Sequence, residues 1–358
     1  MQQNKILKAK KDKADQIRTF IYKNINSGDY SDRIPSLSQL AEHFNVNIKT
    51  AKRAVDKLEA AGIVVSHKGK GTFVNQNDRE PAPILFIGRE NKEISGAISS
   101  VLASAVDMLE LNYSPYTFLL PRNLDNEPYE LSGPKGMAGM LIEGKLLEHI
   151  NADSLKVPLV KLHAFNKHDG FPAVRSDVED GIKQAVDYLR SLGHKKISYL
   201  GPDSEIDDGL DSLKRKVFCE HIIKHKLKTK GSWNPHTYFR VEEGYKSAIK
   251  ILKGKEKPTA LVCVNDEVAL GALNACDVLG LSVPGDVSVV GFDDRAPAIM
   301  RKPFLTTVKV DFKQTAVEGI KLLHKCVSSP KDNEMSNFEI VLPVHLIIRE
   351  TTGRPKND

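Results

Sequence analysis

Two groups of residues carry the chemistry that this chain can offer. The first is cationic: Lys49, Lys52 and Arg53 fall close together, and the run Lys68-Gly69-Lys70-Gly71 follows them. Ammonium and guanidinium groups so clustered suit phosphate oxygens and the acceptor edges of bases. The second is rich in carboxylate and amide: Asn265-Asp266 ends the apolar run TALVCV, and Asp293-Asp294 ends VSVVGF. A carboxylate accepts from two neighbouring hydroxyls and an amide both donates and accepts, so these pairs suit a ligand with a fan of hydroxyls. For two of the four a plainer role stands beside this, Asp266 capping a following helix and Asp294 shaping a turn.

The cationic group needs two helices and a hairpin to place it. Leu37, Leu40, Ala41 and Phe44 repeat at three and four residues, and Ala51, Val55 and Leu58 do the same after the Asn45-Val46-Asn47 break. So short a connection is that of a helix-turn-helix, whose second helix enters a DNA major groove. Past Gly62, Ile63 to His67 and Gly71 to Val74 read as two strands joined by the basic turn, which completes a winged helix. Ahead of it, residues 14–27 put Ile17, Phe20, Ile21 and Ile25 on one face of a supporting helix. Residues 1–75 thus form a DNA-reading domain, and 76–83, polar with Pro81 and Pro83, a short stiffened linker.

From Ile84 onward the pattern changes. The apolar strands ILFIG, YTFLL, GMLI, PLVKL, KISYLG, TALVCV and VSVVGF alternate with helical stretches, among them 178–192, 209–226, 242–253 and 266–279. Such alternation implies parallel sheet covered by helices on both faces. About ten strands in all exceed what one sheet usually holds, so two lobes with a cleft between them are expected. Both acidic pairs then fall at the carboxyl ends of parallel strands, where α/β folds bind ligands.

Charge is divided unevenly along the chain. Its 358 residues are 41% hydrophobic and 27% charged, with a net charge of +6. Residues 1–80 hold 15 Lys and Arg against 9 Asp and Glu, and the remainder holds 37 of each sign, so the whole basic excess lies in the DNA-reading domain. Neutralising phosphates needs it there. The N-terminal run from Lys5 to Lys13 fits either phosphate contact or a solvated helix face.

Several classes are set aside. The glycines of KGKGTFV precede a strand and lack the Lys-Ser/Thr pair of a nucleotide loop. Neither Gly-x-Ser-x-Gly nor His-Glu-x-x-His occurs, and the histidines suggest no metal cluster. No enzyme, cofactor or metal is expected. Cys219, Cys263, Cys276 and Cys326 are far apart and read as reduced thiols, mostly in the core. With no apolar signal segment or bilayer-length run, a soluble cytoplasmic protein is expected.

Pro35-Ser36, Leu40-Ala41, the helix around Thr50, Leu58-Glu59-Ala60-Ala61-Gly62 and Gly69-Lys70-Gly71-Thr72-Phe73-Val74 resemble the DNA-binding domain of the GntR family of bacterial regulators. The resemblance implies DNA contacts from Ser36, Ser38, Asn47, Lys49, Thr50, Lys52, Gly69, Lys70 and Gly71. Ser38 and Ile48 stand where the family often has arginine, which leaves Lys49 and Arg53 as the cations expected to take over guanine readout.

Asp177 to His194, Lys196 to Gly201, Val264 to Ala272, Val283 to Asp294, Pro303 to Val308 and Leu346 to Gly353 resemble the effector domain of LacI/GalR regulators. That resemblance implies a two-lobed, periplasmic-binding-protein-like (type I) α/β domain over 84–353, with three crossings between lobes. The first lobe takes about 84–173 and 308–330, the second about 174–305 and 337–350. It also implies ligand contacts from Asn265 and Asp293 and a cleft-facing role for Asp177, which could equally cap a helix. Lys214 stands at the family's ligand-binding arginine and Val217 at its glycine, leaving either Lys214 or Arg215 as the donor. Arg89 and Glu90 follow the first strand as further candidates, and Trp233 and Phe165 either stack on a ligand or pack.

The combination is similar to the AraR-like sugar regulators. It implies a homodimeric, sequence-specific regulator, a repressor of sugar-utilisation genes on an inverted-repeat operator, whose DNA affinity a monosaccharide such as L-arabinose or L-fucose changes. A purine or phosphorylated-sugar sensor, or a degenerate sugar enzyme, remains as an alternative.

Overall fold

A computed structural model of the chain describes residues 13–26, 28–60, 63–75, 81–89, 93–109, 111–121, 129, 133–151, 157–164, 170–202, 209–230, 235, 237, 239–328 and 338–356. It divides into two units, one over residues 1–83 with 110–114 and the other over the rest. All of the basic N-terminal run except Lys13, most of the expected linker, Glu90, Phe165 and Trp233 lie outside the described residues.

The first unit holds α1 (Lys13–Asn26), α2 (Leu37–His43), α3 (Ile48–Ala60), β1 (Val64–His67) and β2 (Gly71–Val74). Its core is the set that helical spacing selects: Ile17, Ile21 and Ile25 from α1 against Leu40, Ala41, Ala51, Val55 and Leu58. Ser36 starts α2 with a capping box, its Oγ accepting from the Gln39 amide while the Gln39 side chain accepts from the Ser36 amide at 2.9 Å. A Lys57–Asp15 ion pair of 3.0 Å ties α3 to α1. β1 and β2 pair antiparallel from Val64↔Val74 to His67↔Gly71.

In the second unit β3 (Ala82–Arg89), α4 (Glu93–Met108), β4 (Tyr113–Leu120), β5 (Gly139–Glu143), β6 (Leu159–Leu162) and β7 (Ala173–Ser176) come first. Then α5 (Val178–Ser191), β8 (Ile197–Leu200), α6 (Leu210–Lys224), α7 (Val241–Leu252), β9 (Ala260–Cys263), α8 (Asp266–Val278), β10 (Ser288–Asp293) and β11 (Thr306–Lys309) alternate. The chain closes with α9 (Phe312–Ser328), β12 (Glu339–Leu342) and β13 (His345–Ile347). The strands form two sheets, ordered β12-β7-β6-β5-β3-β4 and β13-β11-β10-β9-β8.

These sheets define the lobes, and the chain passes between them at 176–178, 309–312 and 342–345. Three expected lobe assignments need correction, the first being β7, which lies in the first sheet beside β6 through Ser176, so the first lobe runs past the expected end at 173. β12, expected in the second lobe, pairs parallel with β7 in the first, because the chain makes its third crossing only after Leu342. β11 lies wholly in the second sheet beside β10, so the middle crossing falls at Val310 rather than before 308. β13 runs antiparallel to β11, so the second sheet is mixed at its edge.

Arg175, just before the first crossing, pairs across it with Glu179 of α5 at 2.7 Å and within the first sheet with Glu339 of β12 at 3.2 Å. Gln184 of α5 holds the third by donating to the Val344 carbonyl at 3.0 Å and accepting from the Leu346 amide at 2.9 Å. The core of the second lobe sets Tyr199, Val262 and Phe292, from short continuous apolar strands covered on both faces, against Phe218 of α6. Cys263 and Cys276 are buried there, while Cys219 and Cys326 are half-buried.

Candidate functional site

In the DNA-reading unit Ile48, Lys49, Lys52 and Arg53 are all exposed on α3. Asn47 caps the helix, its Oδ1 accepting from the Thr50 amide at 2.8 Å and the Thr50 hydroxyl at 3.0 Å. Both side chains are therefore engaged at the helix start, whereas the three cations project from it. Ser38 is exposed on the first turn of α2. Ile48 opens α3 with 54% of its surface exposed, an apolar side chain where soluble helices usually place a polar one.

The wing is held in a fixed register to α3. Glu59, near the end of α3, accepts from the Ser66 amide at 2.8 Å and the Ser66 hydroxyl at 3.1 Å. At the tip Gly69 and Gly71 have φ of +76° and +114°, left-handed conformations that L side chains rarely adopt. A Cβ at Gly71 would lie 2.5 Å from the Arg33 guanidinium, which itself sits 5.7 Å from the Phe73 ring. Arg33, bridged to Phe73 beside the wing, is a cation that pattern reading missed, since it lies outside every periodic segment.

The second unit contains a cavity of about 340 Å³ between its lobes. From the first lobe Arg89, Glu143, His163 and Ser176 line it, standing at or just past the carboxyl ends of β3, β5, β6 and β7. From the second come Asp211 and Lys214 on α6, Phe239, and Phe292-Asp293 at the end of β10. Leu146, Val178, Leu210 and Val310 add apolar surface. Carboxylates and two aromatic rings in one cleft suit a ligand with hydroxyl edges and an apolar face.

Asp293 and Asp294 have φ of +104° and +56°, so the chain turns sharply as it leaves β10. Asp293 faces the cavity, while Asp294 accepts from Arg349 at 2.6 Å, the turn-shaping role. Lys214, only 4% exposed, donates to Asp211 at 3.0 Å and to the Val264 carbonyl at 3.0 Å.

Asp266 behind this wall is fully buried and accepts from the Thr307 hydroxyl at 2.6 Å and the Arg295 amide at 2.8 Å. Burial first, and then the neighbouring Asp293 charge, push its carboxyl up to about 8.

Three expected contacts do not line the cavity. Asn265, not Asp266, is the cap of α8: its Oδ1 accepts from the Val268 amide at 2.9 Å and its Nδ2 donates to the Phe239 carbonyl at 3.4 Å. It steadies a cavity residue instead of facing the cavity. Asp177 caps α5, accepting from the Asp180 amide at 2.9 Å between the lining residues Ser176 and Val178. Arg215 points away from Lys214, donating to the Gly201, Pro202 and Pro235 carbonyls beside the Tyr199 ring. Adjacent residues on a helix project about 100° apart, so Lys214 and Arg215 cannot share one face.

Glu143, Ser176, His163, Asp211 and Phe239 were not anticipated. Glu143 follows GMLI at a strand end, the signal that selected Asp293, and Asp211 lies one helical turn before Lys214. No His, Cys, Asp and Glu group lining the cavity has metal-ligand spacing among the described residues.

Residues 13–74 match the model of the bacterial regulatory proteins of the gntR family, and 186–352 match the periplasmic-binding-protein-like domain. The chain joins a GntR-family DNA-binding domain to a periplasmic-binding-protein-like domain. It is 25% identical to the arabinose metabolism transcriptional repressor of Geobacillus stearothermophilus, over 90% of this chain and 92% of that one. It is 26% identical to the probable HTH-type transcriptional repressor ExuR of Bacillus subtilis, over 88% of each.

A lac repressor dimer bound to operator shares the fold, with a TM-score of 0.63 and 21% identity over 84% of this chain and 98% of that one. A GntR-type DNA reader on such an α/β domain is a regulator and not an enzyme. In this regulator Lys214 faces the cleft and Val217, at the family's glycine, packs in the second-lobe core. No described helix is long and apolar enough to cross a membrane.

Proposed function

We propose that this regulator is a cytoplasmic repressor of sugar-utilisation genes, and that a neutral monosaccharide in the cavity changes its affinity for DNA. The carrying observation is the lining: Glu143, Asp211 and Asp293 bring carboxylates to a cleft walled by Phe239 and Phe292. Each carboxylate can take two hydroxyls, and the rings offer apolar faces to the C–H side of a sugar.

Lys214 is already paired with Asp211, which disfavours a phosphorylated sugar as ligand. Arabinose metabolism in the name of one relative, and sugar regulation across the resemblance, support a pentose or deoxyhexose such as L-arabinose or L-fucose. Arg89, Lys214 and Asp293 are the direct contacts from the expected set, with Asn265 acting through Phe239 and Asp177 through the start of α5.

A winged helix buries little DNA surface, so specificity calls for two readers on an inverted repeat, and the α/β domain is the proposed dimerisation element. Ligand that closes the lobes shifts operator affinity only by as much as it prefers the closed form, about 1–3 kcal/mol for a typical coupling. A thermal-shift screen of monosaccharides, followed by operator binding with and without the hit, tests this. A screen in which only phosphorylated sugars or purines raise the melting temperature would overturn the neutral-sugar assignment.

A further inference from the structure

Away from the cavity, α5 and α6 bring three ligand-type side chains to one point. His221 and His225 lie one helical turn apart, His225 being the residue that ends α6, and their rings meet edge to face with centroids 4.4 Å apart. Asp187 of α5 reaches across: its Oδ1 is 3.2 Å from His221 Nε2 and 3.6 Å from His225 Nε2. All three ligand atoms lie within 4.8 Å of one another.

The two closest atoms do not satisfy each other. Asp187 Oδ1 and His221 Nε2 are both buried and neither has a hydrogen-bond partner among the described residues. At 3.2 Å the distance suits a hydrogen bond but the direction does not. Ring nitrogen and carboxylate oxygen that approach without pointing at each other leave their lone pairs free to converge on a third point.

We infer that Asp187, His221 and His225 form a three-ligand site for a borderline transition-metal dication such as Zn²⁺. Bonds of about 2.1 Å to nitrogen and oxygen in a tetrahedron put ligand atoms about 3.4 Å apart. The observed 3.2 and 3.6 Å bracket that edge. The third edge closes by rotation of the half-buried His225 ring. Two imidazoles select Zn²⁺, Ni²⁺ or Cu²⁺ over Mg²⁺ and Ca²⁺, which prefer all-oxygen shells.

Arg190, whose guanidinium is 3.3 Å from Asp187 Oδ1 and half exposed, must swing away toward solvent as the ion enters. A metal there clips α5 to α6, the helix that presents Asp211 and Lys214 to the cavity.

The test uses the full chain stripped with a chelator. Titration with ZnCl₂ should show one saturable site, with a rise in melting temperature that MgCl₂ does not reproduce and EDTA reverses. Co²⁺ should give visible ligand-field bands of a four-coordinate site. His225→Gln and Asp187→Asn, both at partly exposed positions, should lower Zn²⁺ affinity at least about tenfold and abolish the Co²⁺ bands. Absence of saturable Zn²⁺ binding in the wild type overturns the inference. So does binding that both variants retain, which would place the ion on the cysteines or elsewhere.

Discussion

The Lys214 ammonium lies 4.0 Å from the centre of the Phe292 ring, so a cavity cation is held against a cavity aromatic. This contact, with Asp211 and the Val264 carbonyl, fixes the amine where a ligand oxygen can reach it. Lys214→Met keeps the apolar stem and removes the charge. Effector affinity should fall at least about tenfold, the scale of one charge-assisted hydrogen bond, with operator affinity in the absence of sugar unchanged. Calorimetry of sugar binding and an operator shift assay check the two halves.

Asp293→Ala should abolish the response to sugar while leaving the unliganded protein able to bind its operator. The carboxylate at the end of β10 faces the cleft, and its removal leaves ligand hydroxyls unpaired in a confined site. Operator binding by wild type and variant across a sugar titration measures this, and an unshifted response would move the site elsewhere.

Asn265 separates capping from contact. Asn265→Ser keeps an oxygen at the start of α8, whereas Asn265→Ala removes it and should cost about 1 kcal/mol of stability. If the residue acts through the helix cap and Phe239, the serine variant should respond to sugar nearly as wild type does. A serine variant that folds normally but is blind to the ligand would make Asn265 a direct contact.

Reader substitutions should divide by role. Lys49→Ala or Arg53→Ala should change base preference by about 1–3 kcal/mol at one position where either reads a base edge. Ile48→Ala should relax preference for thymine, whose methyl is the natural partner of an exposed aliphatic side chain in the major groove. Lys70→Ala should weaken all sequences alike and reduce the salt slope by about 1. Operator selection at two salt concentrations distinguishes these patterns.

Asp266 makes stability depend on pH. Its ordinary value of 3.8 applies to the unfolded chain and about 8 to the folded one, so between them the native state holds a proton that the unfolded state has lost. Stability contributed by this group is therefore full below about pH 4, declines as pH rises, and is gone above about pH 8. The neighbouring Asp293 charge contributes to the shift, so Asp293→Asn should flatten the decline. Thermal melts of wild type and variant across that range provide the measurement.

Local pattern was enough for much of the molecule. Apolar spacing marked α1, α2, α3 and most helices and strands of the α/β domain, because burying one face or one run fixes its period in the chain itself. The strand-end rule likewise pointed to Asp293, while Lys214 stood out through its place at the family's ligand-binding arginine. Tertiary structure decided the rest, for reasons that no local period carries. Asn265 and Asp177 look like ligand residues in sequence, but folding places an orphan helix amide next to each, and each becomes a cap.

Lys214 and Arg215 are adjacent and alike in charge, and only the packing of α6 determines which one faces the cleft. The pairing of β12 with the first sheet depends on a strand far earlier in the chain. The meeting of Asp187 with His221 and His225 depends on how α5 packs against α6, so the histidine spacing alone could not reveal its third partner.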